Sequence, residues 1–156
     1  MLKLIKCEFL KLKRKKFIPL IILAAFLFPI PLTYLMTTPS MIERYTDRAD
    51  AFDGLFNMVL GYGIQFLLPC IIGVIAAILF FMERDNDTFK NLRTIPVTST
   101  QMVLAKIIVL FLFGIVFCVA STIATILCGF GTLEVYGIGY KLFLAVETGI
   151  FITAGT

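Results

Sequence analysis

The sequence contains no histidine and no tryptophan. Without histidine, the commonest general base and the commonest imidazole metal ligand are missing. No HExxH helix and no GxSxG elbow is present, which excludes the usual zinc-peptidase and serine-hydrolase arrangements. No GxxxxGK[ST] phosphate loop occurs, so this chain does not hydrolyse ATP by that device. The four cysteines, Cys7, Cys70, Cys118 and Cys128, form no CxxC pair. Three of them lie in apolar stretches, where a thiol serves as a small apolar side chain. Charge is also scarce: 15% of the residues are Asp, Glu, Lys or Arg, against about 25% in ordinary globular domains. No repeat and no low-complexity tract interrupts the chain.

What fills the space is apolar. The share is 60%, and the mean hydropathy of +0.99 is that of a membrane protein. Stretches 17–36, 58–82 and 103–130 are each long enough to cross about 30 Å of hydrocarbon at about 1.5 Å per residue. A fourth stretch, 140–156, is still apolar at the last residue, so it reads as the start of a further span. The expectation is an all-α, polytopic transmembrane bundle forming a single domain. It has three full spans, a truncated fourth, an interfacial helix over 1–16 and a short helix in the loop after the second span. The chain reads as the front part of a longer protein.

Basic residues set the expected topology. Seven precede the first span and four more lie in or beside the 83–106 segment, so these two regions hold eleven of the 14. They are expected in the cytoplasm. The 37–57 segment carries Glu43, Asp47, Asp50 and Asp53 against Arg44 and Arg48, and it is expected outside as a solvated loop with an interfacial helix. No small-x-small cleavage site follows the first span, which argues against a signal peptide. In residues 1–15, Leu2, Ile5, Phe9 and Leu12 share one helical face, with lysines turned away. Such a helix lies on anionic lipid. The Lys11–Lys16 run could also be read as a nucleic-acid patch, but it abuts a membrane span and has no interleaved aromatics for stacking.

The spans carry few polar groups. Pro29 and Pro31 should kink or end the first helix. Gln65 should face other helices or a cavity, and Pro69, four residues on, should free its carbonyl. The third span has a stripe of small residues, Gly114, Cys118, Thr122, Thr125 and Gly129, with Ser121 beside it. Helix packing is one reading of that stripe; lining a transport path, through Thr122 and Thr125, is the other. Glu147 is a carboxylate in an apolar stretch. It is either a functional group facing a partner or path, or an interfacial residue if the helix starts late.

The segment from Glu83 to Lys106 carries most of the functional information. Asp87 can cap a helix from Thr88, on which Phe89, Leu92 and Ile95 share a face and Lys90 and Arg93 do not. Ile95 precedes Pro96, which ends the helix after about two turns. Thr98 and Gln101 form a capping-box pattern for the next helix. Lys106 can snorkel to the headgroups. Asp85-Asn86-Asp87 lacks the glycine and distal glutamate of a calcium loop.

An acid, a threonine, an apolar pair, Pro-Val-Thr-Ser and a closing lysine follow one another in this segment. The order resembles the coupling segment of type-2 ABC exporter permeases. The matching positions are Glu83, Thr88, Leu92, Pro96 and Lys106; Phe89 stands where Leu or Ile is more usual, and 84–86 match loosely. The resemblance extends to the basic N-terminus and the span spacing, and covers the front half to two-thirds of a permease of about six spans. It implies that Glu83, Thr88, Phe89, Leu92, Pro96 and Lys106 couple the chain to a separate ABC ATPase that uses ATP and magnesium. No cofactor would then be bound by this chain, which would sit in the plasma membrane with a second permease subunit. The subgroup it most resembles expels bacitracin-like and lantibiotic peptides. Gln65, Thr122, Thr125 and Glu147 are the candidate path residues. The competing reading is a small membrane anchor or regulator whose loop binds a soluble partner. An intramembrane enzyme lacks its catalytic residues.

Overall fold

The computed structural model describes residues 5, 6, 10, 17–85, 99–131 and 133–155. The elements run α1 (Phe17–Leu27), α2 (Pro29–Met36), α3 (Pro39–Ile42), α4 (Arg48–Met58), a π-helical segment (Val59–Leu67), α5 (Leu68–Asp85), α6 (Ser99–Gly129) and α7 (Ile138–Gly155). Among the described residues three helices are long and apolar enough to span a membrane: 48–81, 100–129 and 138–155. The chain is a helical membrane bundle. Its outer surface agrees: Phe66, Phe143 and Phe151 are 73%, 64% and 71% exposed, which suits lipid rather than water.

The first apolar stretch is divided at Phe28. Its N–H still closes a turn on the Ala24 carbonyl at 3.1 Å. Pro29 and Pro31 then fall in the first turn of α2, where a missing N–H does least harm. The Thr33 hydroxyl donates to the Pro29 carbonyl at 2.8 Å and restores one bond. The fourth apolar stretch is helical from Ile138 to Gly155, 18 residues, and qualifies as a span. Only residues 5, 6 and 10 of the expected N-terminal helix are described; Ile5 packs on Ile75, Leu79, Val109 and Phe113.

The 37–57 segment follows the sequence reading as far as Asp47, with Ser40, Glu43, Arg44, Thr46 and Asp47 exposed, and departs from it beyond. Helix α4 begins at Arg48, ten residues before the expected start of the second span, and runs into the π segment without a break. Ala51, Phe52, Leu55, Phe56 and Val59 are buried. Phe52 and Leu55 pack with Met36, Ile126 and Leu133. These apolar residues recur at helical spacing, and Asp47, Arg48, Asp50 and Asp53 among them depress the hydropathy of the stretch, which kept it out of the expected second span.

The π segment lies just before Pro69. In an α-helix the proline ring clashes with the carbonyl four residues back, that of Gln65. Widening the preceding turns to i→i+5 pairing relieves the clash without ending the helix.

Helix α6 is the hub, in contact with α1, α2, α4, the π segment, α5 and α7. Its partner α7 is antiparallel. A Cβ on Gly114 would come 2.7 Å from the Thr153 hydroxyl, and one on Gly149 would collide with the Cys118 sulfur. The small-residue stripe therefore packs, and α7 answers with its own: Ala145, Gly149 and Thr153, all buried. Small residues every four positions on both helices let the backbones approach.

Candidate functional site

Of the coupling residues, Glu83 lies in the last turn of α5. Thr88, Phe89, Leu92 and Pro96 lie outside the described residues, as do Asp87 and Thr98. Helix α6 starts at Ser99, one residue after the expected cap. Lys106 is placed differently from expectation. It is 3% exposed, and its ammonium sits 4.4 Å from the centroid of the Phe80 ring. The side chain turns inward onto α5 instead of out along lipid. A ring face attracts a desolvated cation by about 2 kcal/mol.

The candidate path residues divide into two pairs. Thr122 and Thr125 are 1% and 0% exposed. Their hydroxyls donate to the Cys118 and Ser121 carbonyls of their own helix, both at 2.8 Å. The Ser121 hydroxyl beside them is buried without a hydrogen-bond partner. Gln65 and Glu147, by contrast, are exposed on this chain. Gln65 was expected against a helix or cavity; the π segment turns it out between Tyr62 and Phe66, which are 66% and 73% exposed. Glu147 is nine residues into α7, so the helix does not start late and the carboxylate sits near its middle. It lines a groove of about 240 Å³ with Phe143, Val146, Ile150 and Phe151.

The two exposed groups share a depth. A Cβ on Gly149 would lie 3.9 Å from Leu68 Cδ2, so those residues are level. Gln65 is three residues before Leu68 and Glu147 two before Gly149, on helices running the same way. Their depths differ by only about 2 Å.

A third cluster was missed in the sequence. Lys141, in the first turn of α7, is 5% exposed. Its ammonium pairs with Asp53 Oδ1 of α4 at 2.5 Å and donates to the Tyr136 carbonyl at 3.1 Å. It also stands 3.9, 4.3 and 5.9 Å from the Tyr136, Phe52 and Phe56 ring centroids. The Tyr136 hydroxyl donates to Asp53 Oδ2. That bond raises the hydroxyl pKa above its ordinary value of 10.0, because releasing the proton would set two anions side by side. Gly137, with φ +64°, turns the chain between Tyr136 and the helix, a conformation that favours glycine. The signal was available: Phe52, Asp53 and Phe56 lie on one helical face of α4.

The bundle thus has buried charges at its rims, an exposed amide and carboxylate at mid-depth and no phosphate loop. The family model described as "ABC-2 family transporter protein" matches residues 4–156. The chain belongs to this family. No curated protein and no solved structure matches it. As an ABC-2 family member it is a permease component of an ABC transporter, the transmembrane part and not the ATPase. The described bundle supplies the membrane part of that division. The Glu83–Lys106 segment is where the sequence carries the resemblance.

Proposed function

We propose that this ABC-2 permease subunit belongs to an ATP-driven exporter that expels cationic amphipathic compounds, antimicrobial peptides among them, from the plasma membrane. The 1–16 and 83–102 segments face the cytoplasm, and the rim carrying Lys141 faces out. The observation that carries the reading is Glu147, a carboxylate exposed among apolar side chains halfway along a spanning helix. A charge there is unfavourable against lipid by about 3 kcal/mol or more. A cationic substrate in a second permease subunit's shared path would neutralise it, and Phe143 and Phe151 would flank the cation with ring faces. Gln65, at the same depth, supplies an amide donor and acceptor. Thr122 and Thr125 would join the path only if α6 and α7 part, since both are packed.

ATP-driven closure reaches the spans through Glu83, Thr88, Phe89, Leu92, Pro96 and Lys106. Phe89 and Leu92 form the apolar face that docks in the ATPase. Leu92→Asp or Phe89→Asp is expected to abolish copurification of the ATPase with no change in membrane insertion, because the substitution buries an unpaired charge. Equal copurification of variant and parent would remove the coupling role.

A further inference from the structure

We infer that Lys141 is the pin of a releasable latch that holds α4 against α7 and so sets the orientation of the π segment. A lysine three residues into α7 has a short route to water, because Glu134, Tyr136 and Gly137 just before it are exposed. It turns inward instead. Two of its three N–H groups go to Asp53 and to the Tyr136 carbonyl, and the ring faces of Phe52 and Tyr136 stand close to the ammonium. One side chain therefore gathers both helices and the turn between α6 and α7.

What the pin controls follows from its place. The helix it grips, α4, continues into the π segment, which turns Gln65, Tyr62 and Phe66 outward. Below that segment, Leu68 is fully buried in an apolar cluster with Cys118 and Ala145. The π segment lies between two attachments of different character. The lower one is apolar contact alone, which separates only if the helices part. The upper one joins the apolar packing of Phe52 and Leu55 on Met36, Ile126 and Leu133 to an ion pair with α7 whose carboxylate is 41% exposed. Water can solvate Asp53 when the ammonium leaves, so the upper attachment opens without stranding a charge. A π stretch is a common point of register change in a helix. Release of Lys141 unties α4 from α7 and leaves it on its apolar packing against α2 and α6, about which it can turn, and the face around Gln65 turns with it. Lys141 acts through α4 and is a positioning residue. The inference rests on the proposed transport role for that face.

The test uses the purified permease–ATPase complex with Cys7, Cys70, Cys118 and Cys128 replaced by alanine. The probe is Ala51→Cys, at a position 1% exposed on α4, reacted with a hydrophilic maleimide. In the Lys141→Met variant, which keeps the stem and removes the charge, labelling should quicken by about tenfold or more, as loss of a half-exposed ion pair together with a buried cation–π set implies. Lys141→Arg should stay within about twofold of the parent, because guanidinium keeps the charge and stacks on rings. Slow labelling in Lys141→Met would show that the ammonium pins nothing. Ala145→Cys, fully buried one turn further along α7, must stay unreactive; labelling there too would mean general unfolding, and the latch would be refuted. In the parent, position 51 should label faster with the ATPase trapped by vanadate than without nucleotide. Equal rates in those two states would make Lys141 a static strut and overturn the latch, leaving the permease reading intact. Failure of that reading would show separately, as absence of an ATPase from the purified complex.

Discussion

The α6–α7 seam offers the most direct test of the packing. Gly149→Ala adds one methyl group at a point where it would overlap the Cys118 sulfur. The next neighbours are distant: Cys118 Cβ at 3.5 Å and Leu68 Cδ2 at 3.9 Å, both ordinary contacts. The whole penalty therefore comes from one atom. Overpacking of this kind costs about 1–3 kcal/mol, and a gain of about 1 kcal/mol in helix propensity offsets part of it. The net expectation is a loss of about 1 kcal/mol, at the lower end because a cysteine can change rotamer. Cys118→Ala removes the obstructing atom. The double variant should then recover, with a favourable coupling of about 1 kcal/mol or more, as neighbours sharing one contact show in a cycle. Thermal unfolding of the detergent-solubilised protein, read by loss of monodisperse material, measures all four corners. If Gly149→Ala is as stable as the parent with Cys118 present, or if Cys118→Ala does not rescue it, the register of the seam is wrong.

Two further outcomes bear on the functional reading. In intact cells, with the native cysteines removed, Asp50→Cys should react with an impermeant thiol reagent and Asn91→Cys should not; the opposite pattern inverts the proposed topology. Glu147→Gln should lower resistance to a cationic peptide by about tenfold, the scale of one partly desolvated charge contact, with unchanged subunit assembly by copurification. Unchanged resistance at equal expression would leave Glu147 outside the transport path.

Much of the architecture is legible from residue patterns alone. The long apolar stretches mark the helices, and the Pro29–Pro31 pair marks the break at Phe28. The stripe from Gly114 to Gly129 announces close packing, although its partner stripe, Ala145, Gly149 and Thr153, carries the same spacing and went unread. The start of α4 was lost because Asp47, Arg48, Asp50 and Asp53 depress hydropathy across a helix whose buried side is Phe52, Leu55, Phe56 and Val59. The π segment has no signature of its own; Pro69 points to disturbed pairing but not to the form it takes. The Lys141 cluster joins residues more than 80 positions apart in sequence, and no local pattern reports such a meeting. At the candidate site, Gln65 and Glu147 were recognisable as polar groups in apolar spans. Which way they point depends on helix phase, and one π segment is enough to change it.

The two attachments flanking that segment have a consequence for how the gene can vary. Asp53 and Phe56 are held at Lys141, and Leu68 is held in the apolar cluster with Cys118 and Ala145, so the run between them must arrive in phase at both ends. Each residue advances an α-helix by about 100°, and a π turn by somewhat less. Loss or gain of one codon between Phe56 and Leu68 would swing Asp53 away from Lys141 or Leu68 out of that cluster, however well the new side chain suited lipid. Tyr62 or Phe66, exposed as they are, can be exchanged for other large apolar residues at little expense to the fold. Here the number of residues is under tighter constraint than their identity.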